Sequence, residues 1–473
     1  MTRRAFFLAP AFVLAGCIAS APPAMDTSAP ILPNSFAFAP GAATGAALAE
    51  LMPTADPAYA DLSAIALTEA PTLAQAAARI EIARASAARA GAERLPSIAA
   101  DASVTATRTN PNQFGTSLPP GIAIDTERLR YGANVVATWD ADLFGELRNR
   151  EQAAQARLEA ATFEAIGVRN ALLAEIAASV IDWRTLESRR ASLQEDQSAA
   201  EELARLAGVR ERAGIAPGFD RVRAESAAQA SRSRIEALES EQARIVGRLI
   251  TLTGTSAQEV LSSLEQPADL SARPAAPATL PSDLLANRPD VLAAQATLRA
   301  EDAVLAATAA RRFPRLTLSA AIGLLAFDLG GLLDDDAVVG SAGPSLLAPL
   351  LDFGRIQSEI DSAAAGKRLA FAQYHDAVLT ALGDAETGYG LIAAADRELA
   401  AAQQEASSLE RAARLADTRY RAGLANFLTV LEARRAADGS AERVASSRGA
   451  AYRARVLLWR ALGGDPLAEV GPQ

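Results

Sequence analysis

The sequence is poor in the residues from which catalytic and metal sites are usually built. Its 473 residues include one cysteine and one histidine, so neither a disulfide nor a Cys/His metal site can form within the chain. No glycine-rich phosphate loop precedes a helix in a strand-helix-strand unit. The single histidine, His375, is expected to be an ordinary helical residue. We therefore predict no enzymatic activity, no cofactor and no metal.

The charge and hydropathy of the chain exclude two further classes. The formal net charge is −10 and no basic tract occurs, which argues against a nucleic-acid partner. Beyond the amino terminus no segment has 18 or more consecutive apolar residues, so no transmembrane helix is predicted. Half of the residues are hydrophobic but only 5% are aromatic, because alanine supplies much of the apolar count. Alanine at this density favours helix.

The amino terminus has the features of a lipoprotein signal peptide over residues 1–16. Two arginines and a short apolar stretch precede a lipobox that ends at Cys17, the lipid acceptor. Ile18, rather than aspartate, follows Cys17 and fits sorting to an outer membrane. An ordinary secretory signal with a chance cysteine is the alternative. The next stretch, residues 17–71, is rich in Ala, Pro, Ser and Thr and is predicted to be an extended spacer with little core.

The remainder of the chain is a tandem duplication. Each copy is predicted to contain two strands, a long helix, a turn and a second long helix. Two copies are too few for an open solenoid, so a closed ring of several chains is the natural alternative. The constant offset of 209 residues is marked by three pairs of glycines, Gly145 with Gly354, Gly214 with Gly423, and Gly254 with Gly463.

Two segments in each copy alternate between apolar and polar residues with the period of a strand. In the first copy they are residues 97–108 and 129–139, and in the second copy residues 316–323 and 338–347 repeat the pattern more weakly. About 11 residues is the length of a tilted strand that crosses a bilayer. Pro344, inside the last segment, is unfavourable in a central strand. The pattern alone leaves open a membrane sheet and a soluble hairpin packed on the helices.

Two proline-free runs, Glu146–Arg212 and Arg355–Arg421, predict the long helices. Each is about 67 residues long and would span about 100 Å, which is too long for the interior of a globule. Apolar residues recur at intervals of three and four, which predicts coiled-coil packing. After each turn a second helix returns, over residues 219–253 and 426–462. The chain is thus mainly α-helical with a smaller strand portion.

These elements divide the chain into six segments. The boundaries follow the lipobox, the start and end of each repeat, and a linker with four prolines. A helix over residues 72–94 opens the first repeat, and its counterpart over residues 284–312 opens the second. The segments are the signal peptide 1–16, the spacer 17–71, the first repeat 72–264, the Pro-rich linker 265–283, the second repeat 284–465 and a tail 466–473.

Four motifs resemble signatures of the TolC-like outer-membrane factors, and more narrowly of the lipoprotein branch, the NodT family, that serves resistance-nodulation-division efflux pumps. The resemblance covers nearly all of residues 72–463. The motifs are Trp139-Asp140-Ala141-Asp142-Leu143-Phe144-Gly145, Asn287-Arg288-Pro289-Asp290-Val291, the segment from Gly343-Pro344 to Asp352-Phe353-Gly354, and Arg419-Tyr420-Arg421-Ala422-Gly423.

This resemblance implies a homotrimer in the outer membrane. Three chains of four strands would give a 12-stranded β-barrel, with the helices forming a tunnel through the periplasm. The residues agree, because four strands cannot close a barrel alone and open edges are not tolerated in lipid. The implied function is the exit duct of a tripartite pump for small molecules such as drugs. The implied partners are a periplasmic adaptor (membrane fusion) protein, an inner-membrane resistance-nodulation-division pump and outer-membrane lipid.

The same resemblance places a gate on the helix that follows the second turn. Leu428 would form an apolar ring and Glu432 an acidic ring, with Arg435 one turn later as an ion-pair partner. Tyr420 and Asn426 are expected to bond between helices. At Glu432 the sequence departs from close relatives, which often carry Asp. The alternatives are a coiled-coil core position for Leu428 and a surface pair at i,i+3 for Glu432 and Arg435.

Both turns carry Arg-Ala-Gly followed by Ile or Leu and then Ala. Gly214 and Gly423 can take the left-handed conformation that ends a helix. With Ile215 and Leu424 they are expected to dock the helical hairpin of the adaptor. Two other functions stay open, a type I-like protein secretion duct and a structural coiled-coil lipoprotein. Strands of bilayer length disfavour the second, and the lipobox with the Arg-Pro-Asp motif favours drug efflux by family analogy.

Overall fold

A computed structural model describes residues 31–39, 47–110, 127–268 and 273–464. The predicted signal peptide, Cys17, the tail 466–473 and most of the loop between the first two strands lie outside these ranges. The elements follow the order of the sequence prediction. In chain order they are α1 (Pro57–Glu69), α2 (Pro71–Ala92), β1 (Ser97–Arg108), β2 (Glu127–Asp140), α3 (Glu146–Arg212), α4 (Gly218–Thr253), α5 (Ala257–Leu264), α6 (Pro281–Asn287), α7 (Pro289–Ala310), β3 (Arg315–Ala326), β4 (Val338–Leu347), α8 (Arg355–Arg421) and α9 (Phe427–Ala461).

The described residues fall into two compact units. One comprises Glu81–Glu159 and Ala296–Ala372, which include all four labelled strands, and the other comprises the rest. Among the described helices, none combines the length and the apolar character needed to cross a membrane.

The strands form one antiparallel sheet in the order β1-β2-β3-β4. The register places the apolar residues of neighbouring strands opposite one another, as in Ala100 with Val135 and Val135 with Ile322. The polar residues fall on the other face, where Asn134 Nδ2 lies 3.4 Å from Asp101 Oδ2. β1 and β4 are exposed along their whole length. The alternative of a hairpin packed on the chain's own helices is therefore wrong.

Pro344 fits this topology. β4 has a single neighbour in the sheet, β3, and Pro344 pairs with Leu318 there. Proline is tolerated in such an edge strand because, within one chain, one side of the strand makes no ladder hydrogen bonds. The predicted strand at 338–347 is confirmed with its proline inside.

Each long helix is capped by an aspartate just before its first turn, although Asp142 and Asp352 differ by one residue from the 209-residue register of the two copies. Asp142 accepts hydrogen bonds from the backbone of Leu147 and Arg148 at 2.9 and 2.8 Å. Asp352 accepts one from Ile356 at 2.8 Å. A carboxylate at this position satisfies free N–H groups and complements the helix dipole. This chemistry fixes where α3 and α8 begin, and both helices have the predicted 67 residues.

The core of the helical unit lies along one stripe of each helix. On α3, buried side chains recur at intervals of three and four, which confirms the predicted periodicity. The core is completed by large side chains of the other helices, including Leu249, Tyr389 and Trp459. The stripe on α3 consists of Leu172, Ile176, Val180, Trp183 and Leu186.

The prediction of an extended spacer is wrong for residues 47–70. Helix α1 packs against α4 and α5, and Leu62 and Ala66 are fully buried. The start signal is Asp56 followed by proline, and the Asp56 carboxylate accepts from Ala58 N at 2.9 Å. Asp56 also pairs with the buried Arg184 of α3 at 3.0 Å. An alanine-rich composition conceals such a helix because its apolar contrast is weak.

The prediction of one helix over residues 284–312 is also wrong in one respect, because two helices, α6 and α7, occupy this range. α6 ends at Asn287, and Arg288 has extended backbone angles of −81° and 120°. The break follows from Pro289, which disfavours a helical residue before it and occupies the first position of α7.

Candidate functional site

The two turns between long helices have the same geometry. Gly214 and Gly423 have φ angles of 72° and 76°, in the left-handed region. Ile215 N donates to Arg210 O at 3.0 Å and Leu424 N donates to the equivalent Arg419 O at 2.7 Å. These six-residue loops are Schellman caps, which glycine favours because it carries no Cβ.

The tips of both turns are apolar and exposed. Ile215 is 68% exposed and Leu424 is 70% exposed. A Cβ built on Gly214 or Gly423 would have no neighbour within 4 Å among the described residues. The structure thus places all four predicted docking residues together on two open tips.

Asn426 caps its own helix. Its Oδ1 accepts from the backbone N of Thr429 at 2.9 Å and from the Thr429 hydroxyl at 2.8 Å. Among the described residues Asn426 makes no hydrogen bond to another helix, and its expected bond between helices stays a prediction. The residue follows a helix-ending glycine and precedes α9, which is where an N-cap asparagine is expected.

Tyr420 joins three helices through its ring. The side chain is 3% exposed, the guanidinium carbon of Arg210 lies 4.7 Å above the ring centre, and the Phe427 ring is 6.1 Å away edge-on. Its hydroxyl has no hydrogen-bond partner among the described residues. The predicted hydrogen bond between helices is thus not made there, and a cation–π contact takes its place.

The three predicted gate residues point away from the core of the chain. Leu428 is 39% exposed, whereas its neighbours Val430 and Leu431 are buried, so Leu428 does not belong to the core within one chain. Glu432 and Arg435 are both exposed. Among the described residues neither forms an ion pair, so the expected surface pair at i,i+3 is absent as well. The gate roles of these residues stay predictions.

The ion pair beneath the second turn involves residues that the sequence analysis did not single out. Arg434 Nη2 lies 3.6 Å from Asp417 Oδ1 and links α9 to α8. The other oxygen of Asp417 accepts from Arg421 Nε at 2.9 Å. The spacing of four between Asp417 and Arg421 is a recognisable helical signal. The choice between Arg434 and Arg435 depends on the rotation of α9, which the sequence does not provide.

The Arg-Pro-Asp motif is a structural node of the helical unit. Arg288 is 7% exposed, and its guanidinium binds Asp290 at 2.6 Å, Asp384 of α8 at 3.0 Å and the carbonyl of Ala461 at 3.0 Å. Burial opposes ionisation of Asp290, but the hydrogen bond and charge of Arg288 hold the pKa of Asp290 below its ordinary value. The motif therefore locks α7 to α8 and α9.

Comparison with known proteins identifies a family and several relatives that are similar to this chain in sequence. Residues 62–255 and 280–464 match the family described as outer membrane efflux protein. The chain is 31% identical over 404 residues to the pyoverdine export outer membrane protein OpmQ of Pseudomonas aeruginosa, covering 84% of this chain and 83% of that one. It is 28% identical to the toluene efflux pump outer membrane protein TtgC of Pseudomonas putida, over 98% and 95% of the two chains.

Solved structures of membrane proteins have the same fold. A membrane protein from Pseudomonas aeruginosa superposes with a TM-score of 0.83 at 26% identity, covering 93% of this chain and 99% of that one. The outer-membrane channel OprN superposes with a TM-score of 0.80 at 26% identity and the same coverage. The fold and the two turns are thus those of an outer-membrane channel. The chain belongs to the outer membrane efflux protein family.

Family membership confirms the resemblance drawn from the four motifs. It also confirms the prediction of an outer-membrane efflux channel, which is a transport conduit and not an enzyme.

Proposed function

We propose that the chain is the outer-membrane exit duct of a tripartite efflux pump that passes small molecules, such as drugs, from the periplasm to the exterior. The observation that carries the proposal is the sheet. Its four strands present one apolar and one polar face, and β1 and β4 are exposed throughout. An apolar face suits lipid, and a polar face suits a water-filled lumen.

The functional unit is a homotrimer. In lipid every backbone polar group needs a partner, so the free edges of β1 and β4 must pair with other chains. Three copies would place β1 of one chain beside β4 of the next and close a barrel of 12 strands. The register of the apolar residues then continues around the ring, with its outer surface facing the membrane.

The tips at Gly214 with Ile215 and at Gly423 with Leu424 dock the adaptor. Both are open, apolar and rigidly capped, which suits the packing of a helical hairpin from a partner. The adaptor in turn connects the duct to an inner-membrane pump of the resistance-nodulation-division type. The names of the relatives, which include toluene efflux and pyoverdine export proteins, support small organic molecules as cargo.

The gate lies next to the second tip. Leu428 and Glu432 are one helical turn apart on a face of α9 that the chain's own core does not cover. In a trimer, three copies of each would ring the axis, with Arg435 as the positive group beside the acidic ring. Adaptor contact at the tip moves α9 relative to α8 and opens the ring. The mature chain begins at Cys17, whose acyl chains add a lipid anchor.

Complementation tests this proposal. The full-length gene is expressed in cells that lack their own efflux exit duct but keep an adaptor and an inner-membrane pump of the resistance-nodulation-division type. Restored resistance to the organic substrates of that pump, dependent on both partners, is the expected result. A chain that reaches the outer membrane as trimers and restores no export would overturn the proposal.

A further inference from the structure

Three helices meet around a pair of carboxyl groups below the second turn. Asp196 lies on α3 and Asp438 on α9, and their carboxyls line one cavity, close enough to share a hydrogen bond. The Asp196 carboxylate also accepts from Arg234 Nη2 of α4 at 3.0 Å and from the hydroxyl of Ser231 on the same helix. Carboxylate oxygens only accept hydrogen bonds, so one of the two carboxyls must carry a proton.

The surroundings decide which carboxyl holds that proton. Asp196 is 12% exposed, and its carboxylate already accepts hydrogen bonds from Ser231 and Arg234. Asp438 forms no ion pair among the described residues. Burial, followed by the hydrogen bond and charge of Asp196, raises the pKa of Asp438 to about 8. The proton therefore belongs on Asp438 at neutral pH.

The other charged groups around the two carboxyls do not cancel the rise in the pKa of Asp438. The two carboxyls line a cavity of about 380 Å³ between α3, α4 and α9. Arg234 is shared with Glu442 at 3.2 Å, and Arg434 is directed to Asp417 of α8 at 3.6 Å. The charged groups around Asp438 are Asp196 from α3, Arg234 from α4, and Arg434 and Arg435 from α9, and Glu442 of α9 reaches this cluster through Arg234.

We propose that one proton shared by Asp196 and Asp438 holds α9 against α3 and α4, and that loss of this proton separates the helices. Two ionised carboxylates in contact repel each other, and packing around them must loosen. The folded state favours the protonated form of Asp438. Protonation of this carboxyl therefore contributes fully to the stability of the folded chain when the pH is below the ordinary pKa of aspartic acid. That contribution is lost as the pH rises toward 8.

The shared proton would also regulate the gate. α9 carries both Asp438 and the gate residues, so loosening of α9 at alkaline pH favours the open duct. This regulatory role depends on the channel function proposed above, whereas the proton itself does not.

Infrared spectroscopy of the purified full-length protein tests the proton directly. At neutral pH, wild type should show a carboxylic-acid C=O band that disappears as the pH is raised above 8. Asp438→Asn should lack this band, and in Asp196→Asn the band should disappear at a lower pH than in wild type, because burial still raises the pKa of Asp438 but the contribution of Asp196 is gone. The matched control is Glu201→Gln, an exposed carboxylate on α3, which should leave the band in place. No titrating band in wild type, or the same band in both Asn variants, would overturn the proposal.

Conductance separates this proposal from the channel function. Open-channel occupancy in planar bilayers should rise with pH through 8 for wild type and stay flat for Asp438→Asn. If wild type forms channels whose pH response is unchanged in Asp438→Asn, the regulatory inference is wrong and the channel function stands. If wild-type trimers form no channel, the channel function fails, and the infrared result alone decides the fate of the shared proton.

Discussion

Arg434→Ala is the sharpest perturbation of the proposed gate, because Arg434 and Asp417 link α9 to α8 beneath the second turn. The two side chains are 31% and 17% exposed, and Nη2 lies 3.6 Å from Oδ1. A surface ion pair whose side chains are as little exposed as these stabilises the conformation in which it forms by about 1 kcal/mol. A free-energy difference of about 1.4 kcal/mol changes an equilibrium constant tenfold. Because the ion pair is broken when the duct opens, its removal in Arg434→Ala should raise the open-to-closed ratio about fivefold.

Single-channel recording in planar bilayers measures this ratio. Recordings are made well below pH 8, where Asp438 keeps its proton in both proteins. The matched control is Arg443→Ala, because Arg443 pairs with Glu405 at 2.6 Å between the same two helices but is 53% exposed. Such a pair is screened by solvent and salt, and its loss should leave the ratio unchanged. Equal effects of the two variants, or none from Arg434→Ala, would refute a gating role for the Arg434–Asp417 pair.

Three further predictions concern the lipid, the tips and the rings. Palmitate should label wild type and not Cys17→Ala, while the variant stays in the outer membrane because a single lipid anchor is weak beside a spanning element; equal labelling would contradict lipidation. Gly423→Leu, which forces a side chain into a φ of 76°, should lower adaptor crosslinking and efflux without dissociating trimers, and unchanged crosslinking would show that the tip is only a turn. Leu428→Ala combined with Arg435→Ala should raise single-channel conductance and vancomycin uptake, and wild-type values in both assays would place the constriction elsewhere.

The regular elements are predictable from the sequence because their signals are long and repeated. The strand limits at Ser97–Arg108 and Val338–Leu347 and the helix limits at Glu146–Arg212 and Arg355–Arg421 follow from period, proline and glycine alone. Each feature of one copy is checked by its counterpart in the other, which strengthens a weak pattern. The third strand was predicted too short, since its last residues lack polar alternation.

The polar contacts are not predictable in the same way. Periodicity shows which face of a helix is buried, but it does not show which residue of another helix lies opposite. Asp196 and Asp438 both belong to alanine-rich amphipathic helices, where a charged residue normally indicates a solvated face. Arg434 rather than Arg435 reaches Asp417 because of the rotation of α9 relative to α8. Such details depend on helix crossing, which the sequence pattern leaves undetermined.

Ring closure by three chains is the central claim, and covalent linkage of β1 to β4 tests it most directly. Cysteines are introduced together at Ala102 of β1 and Ala342 of β4, and Cys17 does not interfere if it carries lipid. A short, membrane-permeable bis-maleimide is then applied to cells. The account predicts a ladder on denaturing gels that contains linked dimers and trimers and stops at three chains, with no ladder for either single cysteine variant. Products longer than three chains, a ladder that stops at two, or no linkage in protein that reaches the outer membrane would contradict it.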